Sequence, residues 1–500
     1  VNSPSAVFLF APFPDESSIL ARCRKRTGSF MHGLPSDLAG LQARAADISR
    51  RHPGMGSVRV LDVFEPSGGG QVVRFQLDNG LQVILWPDHS APLVSFQTWF
   101  KVGTVNECGF KNGIAHLFEH LMFKGTERYP HRCFDKLLEE AGAQNNAATW
   151  LDWTFYYENL PSEALDLAFD LESDRMVNVV IDSKELDSER DVVLSERRYR
   201  VDNDPDGEME EALFASLFPN HPYGTPTLGT ADAIESINLS DCRGFYRSFY
   251  QPSNAILVIV GDCTYERAVE LSLTRYGMIP GSPAIESPVP PFLPPSAGTS
   301  ELALDVNSER MRIGWVTVPA GDRVAVALDV ANEILFANES SRVFKRLIDD
   351  LPLASDVDGT SEPMRLAGTF IVDVIINEGE KAEDALSLVL EEIDRFGRDG
   401  PSAAELARAC NHLEASFLRS MITVGSRATQ LGIWHVTTGD YRQLFTFVDD
   451  VRAVDAESVR KAVADYLVPG LAVTILGRPS TWPHGVVPLE AAGAETEVGR

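Results

Sequence analysis

Between Pro280 and Pro295 the chain reads PGSPAIESPVPPFLPP. Proline fixes its backbone angle and lacks the N–H that a helix interior or a central strand must donate, so this stretch can sustain neither. It reads as an interdomain linker, and a division is needed, because a single hydrophobic core stops growing beyond about 250–300 residues. The pattern then begins again. Tyr250 closes a helical stretch and is followed by a strand ending at Gly261, and Tyr466 closes another and is followed by a strand ending at Gly477. Both spacings are 11 residues and the two pairs lie 216 residues apart. A repeat of that length marks a duplicated domain, since solenoid units run only about 20–50 residues. Each half mixes hairpin-like strands with long helices. The expected fold is therefore α+β, with two related domains of about 200 residues, each a mostly antiparallel sheet covered by helices.

The expected organisation follows from local patterns. Residues 1–70 show weak periodicity and read as an extension with little core of its own, closed by a flexible Ser67-Gly68-Gly69-Gly70 joint. The first domain spans 71–279, the linker 280–298, the second domain 299–480 and a tail 481–500. Val72 to Leu77, Leu81 to Trp86 and Val94 to Val102 read as strands, with a hairpin turn at Asp78-Asn79-Gly80. Helical periodicity covers His116 to Phe123, Arg132 to Ala141, Ser162 to Val179 and Asp182 to Val201. Past the linker, Met311 to Val318, Thr369 to Ile376 and Leu471 to Leu476 read as strands. Arg323 to Phe336, Ser341 to Leu347, Glu380 to Phe396 and Ala403 to Ser420 read as helices.

Composition removes several functions. Hydrophobic content of 44% and charged content of 23% are those of a soluble globular protein. With 44 basic against 72 acidic residues the formal charge is −28, which argues against a nucleic-acid partner, because phosphate binding needs a basic face. No apolar run is long enough to cross a membrane, so no membrane partner is expected. Val7 to Phe13 is short, broken by Pro12 and without a basic flank, and is not read as a signal peptide. The six cysteines are scattered with no C-x-x-C pair, which indicates neither a zinc knuckle nor a disulfide framework. That usage fits a reducing compartment without fixing one.

The chemistry lies in His116-Leu117-Phe118-Glu119-His120. Residues i and i+4 of a helix project from one face, so two imidazoles there can hold one small cation. The surrounding run, Ile114 to Phe123, is otherwise apolar, and two histidines and a glutamate are costly to bury in it without partners. A lone histidine in such a run reads best as a satisfied core residue; H-x-x-E-H reads as the inverted zinc-peptidase motif. Catalytic zinc takes three protein ligands and one open position, and its charge lowers the pKa of a bound water towards neutrality. Glu119 is placed to take that water's proton and pass it to a leaving amine. The third ligand should be an acid on another helix. The stretch ELDSERDVVLSERR offers Glu185, Asp187, Glu189, Asp191 and Glu196, and spacing alone does not choose among them. Such a charge run is otherwise a solvated helix face. His221 reads as a turn residue, and His89, His131, His412 and His435 as ordinary surface or core histidines.

Phe75 to Thr126, FQLDNGLQVILWPDHSAPLVSFQTWFKVGTVNECGFKNGIAHLFEHLMFKGT, resembles the N-terminal domain of the pitrilysin and mitochondrial processing peptidase family, in its half-length members. NNAATWLDWTFYYENLP at Asn145 to Pro161, HPYGTPTLGT at His221 to Thr230 and FYQPSNAILVIVGD at Phe249 to Asp262 extend the likeness, which covers Phe75 to Gly477 and weakens in the second half. The resemblance implies a zinc cofactor held by His116, His120 and Glu196, the last lying 76 positions after His120 as the family's second motif requires. It implies Glu119 as base, with Glu189 as the accessory acid that orients a ligand or the water. Asn146, Ala147, Ala148 and Thr149 would form the edge strand that pairs with an extended peptide substrate. The 71–279 domain would then carry the catalytic zinc, and two chains would form a clam-like dimer around a chamber.

The sequence also departs from that family. Active members bring an Arg and a Tyr from the second half to grip the substrate carbonyl, and the matching stretch here, LIDDLPLASDV, has Ile348 and Ser355 at those positions. Groups aimed at a developing oxyanion supply kilocalories of transition-state stabilisation. The expectation is a zinc-dependent endopeptidase subunit working as a heterodimer with a homologous chain that supplies the Arg/Tyr pair. A homodimer, with Arg342 or Arg346 substituting, is the alternative. The competing classes are a non-catalytic assembly subunit of the same family, which the complete ligand set disfavours, and an unrelated metal hydrolase, which the long match disfavours.

Overall fold

The run Ala255–Gly261, AILVIVG, is apolar at nearly every position, the mark of a strand covered on both faces. In the computed structural model, which describes residues 38–66, 69–130, 132–282 and 288–480, it lies near the middle of a seven-stranded sheet. The strands of that sheet are β1 (Val58–Phe64), β2 (Val72–Leu77), β3 (Gln82–Pro87), β4 (Leu93–Phe100), β5 (Gln144–Thr149), β6 (Thr154–Pro161) and β7 (Ala255–Gly261), in spatial order β1-β2-β3-β7-β4-β6-β5. The second sheet holds β8 (Gly298–Leu304), β9 (Arg310–Thr317), β10 (Ala354–Pro363), β11 (Gly368–Ile376) and β12 (Val473–Pro479), in order β10-β11-β9-β12-β8. Val7–Phe13, Ser67, Gly68, His131 and the 481–500 tail lie outside the described residues.

The duplication is visible in the pairing. β7 runs parallel to β3 and antiparallel to β4, and β12 runs parallel to β8 and antiparallel to β9. β4 then pairs with β6 and β6 with β5, as β9 pairs with β11 and β11 with β10, all antiparallel. Gly261 sits opposite Val94 and Gly477 opposite Arg310, so the 216-residue offset holds in register as well as in sequence.

Each sheet is covered on one face by helices of its own half. Leu257, Ile259 and Phe96 join the first core, and Ile313, Trp315 and Val372 the second, with the helices Arg323–Leu335, Ala382–Asp399 and Ala456–Tyr466. The opposite faces are covered by exchange. Ala428 and Leu431 of the helix Val424–Thr438, from the second half, pack on Trp99, Ile256, Val258 and Val260 of the first sheet. Met209, Leu213 and Leu217 of the helix Pro205–Leu217, from the first half, pack on Leu302, Leu304, Val473 and Ile475 of the second. The exchange depends on close approach. A Cβ on Gly432 would lie 2.1 Å from the Trp99 ring, and one on Gly314 would meet Leu213 at 3.0 Å.

Residues 38–64 and the described part of the linker both pack against the first half. Residues 38–64 are not without core: the helix Leu38–Arg51 buries Leu41, Ala45 and Ile48 at 4- and 3-residue spacing, Tyr265 donates to the Leu41 carbonyl at 3.1 Å, and β1 adds to the sheet edge beside β2. The linker, where described, is not free chain. Phe292 stacks on His221 at 4.1 Å and the Ser296 N–H donates to the Ser216 carbonyl at 2.9 Å. No helix among the described residues is long and apolar enough to cross a membrane.

Trp99 is held from both sides, stacked on Phe155 at 4.1 Å and donating its indole N–H to Gln97 at 2.9 Å, so it cannot yield to a new methyl group. Gly432→Ala is expected to lower stability by about 3 kcal/mol through overpacking, read as a lower urea or thermal midpoint. Gly470→Ala, whose Cβ would meet nothing within 4 Å, is the control and should stay near wild type.

Candidate metal centre

The motif helix Ile114–Leu121 is anchored before it begins. Gly113 enters it at φ +85°, a conformation that a side chain would strain. The buried Glu107 carboxylate accepts the N–H groups of Gly113 (3.1 Å) and Ala115 (3.0 Å) and the Asn112 side-chain amide (2.8 Å), serving donors that a helix start leaves unpaired. Burial outweighs these three bonds and pushes the Glu107 carboxyl up to about 7. Ile114, Leu117, Phe118 and Leu121 fill the first core, with Phe118 stacked on Tyr246 at 5.4 Å. The 3.6-residue turn then carries His116 and His120 together on the face opposite that apolar stripe.

Their ring centroids are 4.8 Å apart. From the helix Ser183–Arg197, which packs alongside, Glu196 turns one oxygen to both rings: Oε2 lies 3.7 Å from His116 Nε2 and 3.4 Å from His120 Nε2. Ligand atoms of these three residues all fall within 4.8 Å of one another, and no other group of three His, Cys, Asp or Glu among the described residues does this. The remaining acids of the run go elsewhere. Glu189 Oε2 accepts from His120 Nδ1 at 3.3 Å, while its Oε1 pairs with Lys124. Glu185 also reaches Lys124, at 3.7 Å. Asp187 pairs with Arg190, and Asp191 lies on the exposed face.

Burial and charge divide the protons unequally. Burial, reinforced by the charge of His120, depresses His116 to about 3. For His120 burial works in the same direction but is overcome by the Glu189 and Glu196 carboxylates, which raise it to about 9. Glu196 is held down to about 2: burial would raise it, but the His120 hydrogen bond and the charges of His116, His120 and Arg200 prevail. Glu119 is raised by burial, against the Thr149 hydroxyl and the His120 charge. Its Oε2 is buried without a protein partner.

Two imidazoles and one carboxylate, converging beside a buried carboxylate oxygen with nothing to bind, are a donor set that fits zinc with one position left for reaction. β5, which carries Asn146, Ala147, Ala148 and Thr149, is the last strand of the sheet, so one of its edges has no strand partner among the described residues. It ends at the site, where the Thr149 hydroxyl meets Glu119. In the second half, Ile348 packs against the second core and Ser355 is exposed at the start of β10. Arg342 and Arg346, the candidates to stand in for the missing Arg, both have acidic partners in the second half. Arg342 is bound to Glu405 at 2.7 Å and to the Gly400 carbonyl at 3.1 Å, and Arg346 to Glu391 at 2.6 Å, all within the second half. His221 caps the turn Pro222–Gly224, its Nδ1 accepting the Tyr223 N–H. Sequence reasoning missed Lys124, Arg200 and Glu107. The first two stand four residues after His120 and Glu196, a spacing that was readable.

Two similar sheet-and-helix halves, one of them bearing an H-x-x-E-H helix, define the class of inverted-motif zinc metallopeptidases. Residues 82–231 match the family model described as Insulinase (Peptidase family M16), and residues 236–413 the model described as Peptidase M16 inactive domain. The chain belongs to peptidase family M16. It is 30% identical to the zinc protease PqqE of Helicobacter pylori over 69% of this chain and 79% of that one. It is 25% identical to the probable mitochondrial-processing peptidase subunit beta of Arabidopsis thaliana, over 80% of this chain and 77% of that one. Among solved structures, a protease from Helicobacter pylori superposes with TM-score 0.78 at 26% identity, covering 83% of this chain and all of that one. Pitrilysin superposes with TM-score 0.71 over 86% of this chain and 47% of its own; at 18% identity that likeness speaks to fold alone.

The Glu107 anchor has a pH signature. A carboxyl whose folded pKa is raised from 4.5 to about 7 binds its proton more tightly in the folded chain, so its contribution to stability is full below pH 4.5 and is lost as pH rises through 7. Glu107→Gln is expected to flatten the stability profile between those two values, read from denaturation midpoints across pH.

Proposed function

We propose that this chain is the zinc-bearing subunit of an endopeptidase that hydrolyses peptides or unfolded segments inside a dimer chamber. The observation that carries the proposal is the convergence of His116, His120 and Glu196 beside the unpartnered Oε2 of Glu119. His116, His120 and Glu196 would hold the metal. When bound there, zinc supplies the positive charge that acidifies water and polarises a carbonyl.

The chain's own residues do the rest. Asn146 to Thr149 on the open edge of β5 hold an extended peptide by main-chain hydrogen bonds, which gives affinity with little sequence preference. Glu119 takes a proton from the attacking water and returns it to the leaving amine, a task suited to a carboxylate whose pKa burial has raised. Glu189 fixes the orientation of the His120 ring through Nδ1. Among the described residues, Arg342 and Arg346, which lie near Ile348 in sequence, are engaged by Glu405 and Glu391. That supports a heterodimer in which a homologous chain brings the Arg and Tyr, and a homodimer is the alternative. A non-catalytic assembly role would leave the metal ligands and the base without use.

The test is to purify the chain, measure zinc by elemental analysis and assay a quenched peptide library, with and without a co-purifying homologous chain. About one zinc per chain is expected, with cleavage that appears or rises strongly on adding the partner. Glu119→Gln should keep the metal and lose about 10²-fold or more in kcat. Absence of zinc from folded protein would sink the reading, and full activity of the chain alone would sink the heterodimer.

Metal uptake should be linked to protons. His116 is already neutral near pH 7, whereas His120 carries a proton up to about pH 9 that a metal must displace. Zinc affinity is therefore expected to climb about tenfold per pH unit below 9 and to level off above it. Titration calorimetry at pH 7 in buffers of different ionisation heat should read about one proton released.

A further inference from the structure

We propose that Arg200 is a positioning residue for the metal site, holding the outer oxygen of Glu196 so that the inner oxygen stays turned to both imidazoles. The proposal rests on the reading of His116, His120 and Glu196 as ligands. Arg200 NH1 donates to Glu196 Oε1 at 2.7 Å, while Oε2 of the same carboxylate faces the two Nε2 atoms. A carboxylate rotates easily about its last bond, and a donor fixed on one oxygen removes that freedom for the other.

The site repeats the device. Glu189 turns Oε2 to His120 and gives Oε1 to Lys124. Both of these carboxylates, Glu189 and Glu196, thus face a histidine with one oxygen and a cation with the other. Each cation stands four residues after a residue of the site: Lys124 after His120, and Arg200 after Glu196.

The backbone that carries Arg200 is built for the purpose. After Arg197 the helix widens into a π-helical turn, Arg198–Asp202, a form enriched at functional sites. The turn is clamped on both sides. Arg197 binds Glu211 at 2.7 Å and the Gly229 carbonyl at 2.7 Å. Gly207 lets the next helix close on it, since a Cβ there would lie 2.1 Å from the Arg200 carbonyl oxygen. Charge alone predicts the opposite role. A guanidinium beside a metal site repels a cation and weakens its carboxylate ligand, so removing it would tighten binding. Geometry predicts that removing it loosens binding, and the sign of the effect separates the two.

The experiment is a competition titration of the full chain with zinc against a chromophoric chelator, in wild type, Arg200→Met and Arg200→Lys. Arg200→Met should weaken zinc about 10- to 100-fold, the range seen when a group orienting a ligand is lost. Arg200→Lys, which keeps the charge and an N–H donor, should restore most of it. The metal-free melting midpoint of Arg200→Met should match wild type, because its side chain is 26% exposed and is not part of the core. Should Arg200→Met not fold, Arg200→Gln repeats the test, with weakened zinc binding again expected. Unchanged or tighter zinc binding in a folded Arg200→Met or Arg200→Gln overturns the proposal. A wild-type chain that binds no zinc overturns the metal-site reading itself, so the two failures are told apart.

Discussion

The contact between the Trp99 ring and the bare backbone of Gly432 stands for the constraint on which the molecule is built. Strands such as β7 are apolar on both faces, and each half has helices for only one of them. An exposed sheet face of that size would be an aggregation site, so the helix Val424–Thr438 crosses from the second half to the first and the helix Pro205–Leu217 crosses the other way. The metal centre lies on the route of the second crossing. Glu196 is at the end of the helix Ser183–Arg197, the π-helical turn follows, and the next helix is the one that packs on the second sheet. Glu196 is therefore joined through a single π-helical turn to the helix that packs on the second sheet, although the residues named at the site all belong to the first half.

Electrostatics at the site follows from the same burial. Two imidazoles and three carboxylates share a space in which any unpaired charge is costly. The chain resolves this by making the groups unlike. His116 is neutral, His120 is charged between two carboxylates, and Glu196 is ionised between His120 and Arg200. Under the proposed function, a cation such as zinc would replace one proton in this arrangement. Glu119 differs because its Oε2 has no partner. Under the proposed function, that oxygen would accept the proton that the chemistry must move.

The parts of this arrangement that were legible in the sequence are those set by local period. H-x-x-E-H in an apolar run implies a helix with two histidines on one face, and β2 to β4 follow from alternation around a glycine turn whose Gly80 does adopt φ +93°. The repeat of Tyr250 to Gly261 at Tyr466 to Gly477 foretold the matched strand order. What stayed hidden was tertiary. The helix Leu38–Arg51 shows only three buried positions among polar residues, too thin a stripe to announce a core. β10, ASDVDGTSEP, is an acidic edge strand with little β-propensity, and its pairing with β11 decides its form. Five acids on one helix looked equivalent because spacing cannot say which way the helix faces. Only the packing of that helix against Ile114–Leu121 brings Glu196 to both rings.

The duplication also explains how the second half can lack the chemistry without losing the fold. In the first half the first α-helix after β4, Ile114–Leu121, presents histidines on one face and core residues on the other. In the second half the helix between β9 and β10, Arg323–Leu335, occupies the corresponding place in the chain and buries Val330, Ala331, Ile334 and Leu335 instead. The shared five-strand order needs only the apolar stripe of that helix, so the opposite face is free to vary. In one copy it carries a metal motif. In the other it carries Asp329 and Glu333, both with raised carboxyls, Asp329 through burial against Ser361 and Glu333 through burial beside His412. The stripe is common to both halves because folding requires it; the histidines are confined to one because only the chemistry does.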